Sequence, residues 1–181
     1  MSGATSPWPV IVRVGEVARF SEAHPMHRRL VADEAARKAM AKAYDLVSLN
    51  RLEAELDLSG WFDGVRIDGR WSADIVQTCG VTLEDFPTTL SGEFTVRAVP
   101  EGSRHAAPPE PEVEVDLDAE DPPDVLETDT VDIGGYVAEH LALEIDPFPR
   151  KPGAVFVAPE PEAEASPFAA LLKLKDNKPK A

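Results

Sequence analysis

Residues 65–79, VRIDGRWSADIVQTC, place Val65, Ile67, Gly69, Trp71, Ala73, Ile75, Gln77 and Cys79 on one parity and Arg66, Asp68, Arg70, Ser72 and Asp74 on the other. Successive side chains of an extended chain point to opposite faces, so a period of two over this length is a strand with one core face and one wet face. The preceding run, LNRLEAELDLSGW, repeats the pattern: Leu52, Ala54, Leu56 and Leu58 alternate with Glu53, Glu55 and Asp57. Between the two, Phe62-Asp63-Gly64 offers a turn. After EDFPTT the pattern returns in LSGEFTVRAV, where Leu90, Phe94, Val96 and Ala98 alternate with Ser91, Glu93, Thr95 and Arg97. Three consecutive strands of this kind predict an antiparallel meander with Trp71 and Phe94 as core anchors.

Outward from the meander the period changes. WPVIVRVGEV near the N-terminus is a short β-branched run and predicts a first strand. In HRRLVADEAARKAMAKAYDLV, Ala36, Met40, Ala43 and Val47 fall at helical spacing, with Asp33 as N-cap of a helix of about three turns. Beyond the meander, TDTVDIGGYVAEHLALEIDPF sets Ile133, Val137 and Leu141 on one helical face; Asp132 or Thr130 can cap it and Pro147 ends it. Two adjacent glycines weaken that helix in isolation, so packing must hold it. The fold expected is α+β: an antiparallel sheet of four or more strands with two packed helices, an acidic disordered insert and an extended C-terminal tail.

The boundaries follow from composition. Of the net charge of −15 over 181 residues, −3 falls in 1–100, −10 in 101–129 and −2 in 130–181. Residues 101–129 combine proline and acids with few bulky apolar side chains, too little burial to offset the entropy of ordering, and so predict a disordered insert. The expected organisation is an α+β sheet domain over 1–100, that insert over 101–129, a helix packing back over 130–150, and a Pro/Glu-rich linker with a terminal motif over 151–181. No apolar run approaches the ~18 residues that would span a bilayer. The N-terminus lacks the basic and long apolar regions of a secretory signal, and a single cysteine excludes an intrachain disulfide; both fit a cytoplasmic protein.

Cys79 is the one cysteine, and it can be read as nucleophile, metal ligand or core residue. A nucleophile needs an activating histidine, cation or helix N-terminus, and no known cysteine-enzyme signature surrounds it. A structural zinc site needs paired cysteine or histidine ligands, whereas residues 76–79 are Val-Gln-Thr-Cys. Its parity places it in the core, where free cysteine acts as a small hydrophobe. Carboxylate pairs such as Glu84 and Asp85 are too common here to indicate chemistry, and nucleotide, esterase and metalloprotease motifs are absent from the sequence. No catalytic residue, metal or cofactor is therefore expected. The basic residues Arg28, Arg29, Arg37, Lys38 and Lys42 gather on and just before the first helix, as a candidate RNA-binding face or as an ordinary solvated one. The acidic insert can serve as a solubility segment, an RNA mimic that holds a basic partner, or a spacer.

Taken in order, QTCGVTLEDF, the run from Val131 to Ala154 (VDIGGYVAEHLALEIDPFPRKPGA) and SPFAALLKLK resemble the YceD family of large ribosomal RNA subunit accumulation proteins. Many of its members carry CxxC at this strand end; here Val76 stands at the first cysteine's position and DPFPRKPGAVF has none. The resemblance implies a non-enzymatic role in large ribosomal subunit biogenesis, needed for accumulation of 23S ribosomal RNA. Combined with the charge map, it suggests an adaptor for a basic ribosomal protein or assembly factor. The insert would steer the partner and Pro167, Phe168, Leu171 and Leu172 would anchor it, with any contact to ribosomal RNA secondary. A generic acidic protein-binding module without ribosomal role is the competing reading.

Overall fold

The computed structural model describes residues 6–106 and 122–156. In chain order these form β1 (Ile11–Arg13), α1 (Val14–Val17), β2 (Met26–Val31), α2 (Glu34–Ala43), β3 (Ser48–Trp61), β4 (Gly64–Thr78), β5 (Asp85–Pro100), β6 (Asp124–Leu126), β7 (Thr130–Asp132) and α3 (Ile133–Glu144). The main sheet runs β2-β3-β4-β5-β6, and β1 pairs with β7 in a separate two-stranded sheet.

The meander is present with the expected faces. Trp61 pairs with Gly64 across a two-residue turn in which Phe62 takes φ +49°. Register then carries Leu56 to Gly69 and Gly69 to Phe94, so the inward parities of β3, β4 and β5 coincide. Leu52, Leu56, Leu58, Val65, Ile67 and Ile75 are fully buried there, and Trp71 and Phe94 are 4% and 8% exposed. One layer covers this face: α2 packs on β3, and α3 lies across β5 and β4. Met40 of α2 and Ile133, Val137 and Leu141 of α3 complete the core.

Both expected caps form. The Asp33 carboxylate accepts from the Ala36 N–H at 2.8 Å, and Asp132 accepts from the Gly135 N–H at 3.0 Å. Asp132 also accepts from the Val10 N–H at 2.8 Å, which ties the N-terminal segment to the start of α3. Gly134 permits that seat, because a Cβ there would stand 2.3 Å from the Trp8 carbonyl oxygen. The packing that holds this glycine-containing helix thus combines the buried side chains of Ile133, Val137 and Leu141 with close backbone approach at Gly134.

Several expectations need correction. The main sheet is mixed, because β6 joins β5 in parallel, Ala98 opposite Asp124. A third helix, the four-residue α1, follows β1 directly. Residues 26–31 are an edge strand and not a helix approach; only Met26 and Leu30 of it are buried, so its alternation is interrupted at Arg28. α2 ends at Ala43, with Tyr44 as C-cap and Asp45 at φ +54°, and Val47, expected on the helical face, is exposed beyond it. β5 starts at Asp85 and includes Pro87, tolerated because the strand has only β4 beside it at that point. Within the expected insert 101–129, residues 101–106 form turns and 124–126 form β6; residues 107–121 lie outside the described residues, as do the tail residues 157–181.

Candidate functional site

The face of the meander opposite the core is open and mostly polar, with Val31 exposed on it opposite Glu53. Arg29, Glu55, Arg70 and Glu93 stand opposite one another across β2, β3, β4 and β5, giving a row of alternating charge. Neighbouring rows are also paired. Arg51 binds Asp74 through two nitrogens at 2.7 and 3.3 Å and reaches the Ser72 hydroxyl at 2.8 Å. Arg66 binds Asp68 at 2.8 and 3.0 Å, and His27 is hydrogen-bonded to Asp57. Hydrogen bonds from Arg51 and then Thr89 lower the Asp74 pKa, and those from Arg66 and Thr95 lower that of Asp68 against desolvation. These carboxylates thus remain ionised and committed to their arginines. The twist of the long strands leaves a concave groove of about 1000 Å³ between the rows. It is a surface patterned with charges of alternating sign.

The five basic residues singled out from the sequence do not form one patch. Arg28 and Arg29 are adjacent in β2 and so face opposite sides of the sheet. Arg28 reaches Glu16 at 3.4 Å, and Arg29 pairs with Glu53 at 3.0 Å. Arg37 donates to the Ala32 carbonyl at 2.7 Å, and Lys38 pairs with Glu34 one turn earlier at 2.6 Å. Lys42 is exposed on the same helix, and Arg37, Lys38 and Lys42 line a groove of about 550 Å³ against residues 46–50. Pro167, Phe168, Leu171 and Leu172 lie outside the described residues. The acids and arginines of the open face are legible as the wet parity of β3, β4 and β5, but their pairing needs a register that no single strand reveals.

At the far end of β4, Cys79 is fully buried, as its parity requires. It does more than pack. Its Sγ accepts from the backbone N–H groups of Val81 and Thr82, each at 3.4 Å, and of Lys151 at 3.3 Å. The loop after β4 and the segment after α3 meet around this sulfur. The Gly80 N–H donates to the Pro149 carbonyl at 2.9 Å, the Gln77 side chain to the Asp146 carbonyl at 3.0 Å, and Lys151 pairs with Glu84 at 2.8 Å. A hydrogen bond from the Thr82 side chain, then those from the Lys151 and Thr82 backbone, lower the Cys79 pKa to about 6 from 9.0, against desolvation, which raises it. An acid whose folded pKa is depressed contributes stability above its unfolded pKa and loses it as pH falls through the folded value. The stability difference between wild type and Cys79→Ala should therefore widen from pH 6 to pH 9, read by urea unfolding across that range. A difference independent of pH would show that the sulfur acts only as filler.

Among the described residues no group of three or more His, Cys, Asp or Glu side chains is placed to hold a metal ion. None of the described helices is long and apolar enough to cross a membrane. The family model described as "Large ribosomal RNA subunit accumulation protein YceD" matches residues 67–175, more than half of the chain. Its range takes in most of β4 with its open face, the Cys79 junction and α3. No curated protein and no solved structure matches the chain.

Proposed function

The chain belongs to the YceD family of large ribosomal RNA subunit accumulation proteins, and on that premise we propose that it is a cytoplasmic, non-catalytic adaptor in large ribosomal subunit biogenesis, needed for 23S ribosomal RNA to accumulate. It holds a basic ribosomal protein or assembly factor until that protein is placed on the RNA. The observation that carries this reading is the family match itself, over residues 67–175. Two features of the molecule support the adaptor role. The charge of −15 is concentrated in one segment, which favours encounter with a basic protein over encounter with phosphate. The open face is an ordered ladder of ion pairs on rigid strands, suited to recognition.

The test is depletion of the protein from cells, with the ratio of large- to small-subunit ribosomal RNA and the sucrose-gradient profile as readouts. The expected result is a selective fall in large-subunit RNA with its precursors accumulating. An unchanged ratio and profile would overturn the ribosomal reading and leave a generic acidic protein-binding module in its place.

A further inference from the structure

β2 is an outer strand of the main sheet, and among the described residues no strand pairs with its other side. The direction of its backbone groups follows from one bond: the Ala32 N–H, just past the strand, donates to the Leu52 carbonyl at 3.0 Å. Residues whose backbone faces the partner alternate in an antiparallel pair. Met26, Arg28 and Leu30 therefore turn their N–H and C=O groups to β3, and His27, Arg29 and Val31 turn theirs outward. The Arg28 guanidinium donates to the His27 carbonyl at 3.4 Å; the outward groups of Arg29 and Val31 have no partner among the described residues. Sheets commonly guard such an edge with charge, proline, a bulge or a very short strand. β2 has six residues, no proline and an unbroken register with β3, so its charges are the only guard.

Those charges decide what the edge would take. β2 carries Arg28 and Arg29 and no acid. Arg29 ends the row Arg29, Glu55, Arg70, Glu93, in which the sign alternates from strand to strand, and a further strand outward would continue it with a carboxylate. The Arg29 side chain stays 68% exposed although one of its nitrogens donates to Glu53 at 3.0 Å. Two residues on, Val31 is 58% exposed on the same face and would pack against a β-branched neighbour. A second copy of β2 centred on the same residue would instead set Arg29 against Arg29, a destabilising like-charge pair. β5 also lacks a described neighbour before Ala98, but Glu93 stands there among Thr89, Ser91 and Thr95, and nothing fixes the register of an added strand.

We infer that the free edge of β2 is the docking site for an extended segment of a partner protein, which adds as an antiparallel strand with a carboxylate opposite Arg29 and a β-branched residue opposite Val31. In chain order the segment reads β-branched residue, any residue, acid. Main-chain hydrogen bonds to Arg29 and Val31 hold it, and the two side chains set its register. The inference goes beyond the adaptor reading and does not depend on the partner's overall charge.

The experiment titrates the full-length protein with a fluorescent peptide, Ser-Thr-Val-Thr-Glu-Thr-Thr-Ser, following anisotropy. The amides of its Val and Glu would face β2 and that of the Thr between them would face away. N-methylation of the Glu amide should therefore abolish binding, and N-methylation of that Thr should leave it unchanged. These probes leave the protein untouched, so their difference cannot come from unfolding. Arg29→Glu should weaken the peptide about tenfold, an attraction lost and a repulsion gained, and the same peptide with Lys for Glu should bind Arg29→Glu as the original binds wild type. No binding of the unmodified peptide, equal effects of the two methylations, or an Arg29→Glu protein that binds like wild type would overturn the inference. So would a dimer, seen by light scattering, that excludes the peptide, since it would place a second copy at the edge. Tighter binding of a single-stranded oligouridylate, lost in Arg29→Glu, would assign the arginine to phosphate and overturn it as well.

Discussion

Gly134→Ala is expected to destabilise the protein by about 3 kcal/mol, although alanine is the better helix former by about 1 kcal/mol. The added Cβ would stand 2.3 Å from the Trp8 carbonyl oxygen and 2.8 Å from Val10 Cγ2. The first of these is backbone, so the clash is relieved only by moving the N-terminal segment or the helix. Neither moves freely. The Ile133 N–H donates to the Val10 carbonyl at 2.9 Å, the Asp132 carboxylate accepts from Val10, and β1 and β7 pair just beside them. The neighbouring Gly135→Ala should cost less, because its Cβ would meet the Asp132 side chain at 2.9 Å and no other backbone, so the strain falls on that carboxylate's two hydrogen bonds. Gly15→Ala in α1 meets nothing within 4 Å and should be neutral or stabilising by up to about 1 kcal/mol. Urea unfolding of the three variants checks the order; equal costs for Gly134 and Gly15 would mean that the N-terminal segment does not seat on α3.

That seat also shows why only part of the molecule can be read from its sequence. Alternation in residues 65–79 is a local signal and predicts both the strand and its buried face, and Asp33 and Asp132 are local caps that form where helical spacing begins. The pairing of β1 with β7 joins Ile11 to Asp132, and β6 gains its partner across the acidic stretch; three-residue strands with distant partners leave no periodic trace. β2 is missed for a different reason. As the edge strand it carries Arg28 on the core parity between Met26 and Leu30, exposed and bound to Glu16, so the apolar alternation breaks where the sheet ends. The same fact disperses the candidate basic cluster: Arg28 and Arg29 are neighbours in sequence and on opposite faces in space. For Cys79 the parity predicts burial correctly, but not the Lys151 N–H that arrives from 72 residues further along the chain. Composition shows that residues 107–121 are acidic, and they lie outside the described residues.

Phe94→Ala should cost about 4 kcal/mol, and its interaction with Gly69 should make the loss strongly non-additive. The Phe94 ring occupies the space that a side chain on Gly69 would fill, since a Cβ there would lie 2.4 Å from the ring and 2.8 Å from Leu56 Cδ2. On its other side the ring stacks on His140 of α3, centroids 4.3 Å apart and planes at 9°, so it has no direction in which to retreat. Gly69→Ala alone should therefore cost about 2 kcal/mol by overpacking. With Phe94 already replaced by alanine, the same change meets only the end of the Leu56 side chain and replaces a strand glycine, so most of its cost should vanish and the coupling should approach about 2 kcal/mol. His140 supplies an independent readout. Burial lowers its pKa while Glu144 raises it, so opening the site in Phe94→Ala should let the value climb toward that of a solvated imidazole. A base with a depressed folded pKa costs stability as pH falls through its unfolded pKa toward the folded one, because the unfolded chain binds the proton more tightly. Wild type should thus lose more stability than Phe94→Ala when pH drops through this window. Simple additivity of the two substitutions, with an unmoved His140 titration by NMR, would show that the ring does not couple the sheet to α3.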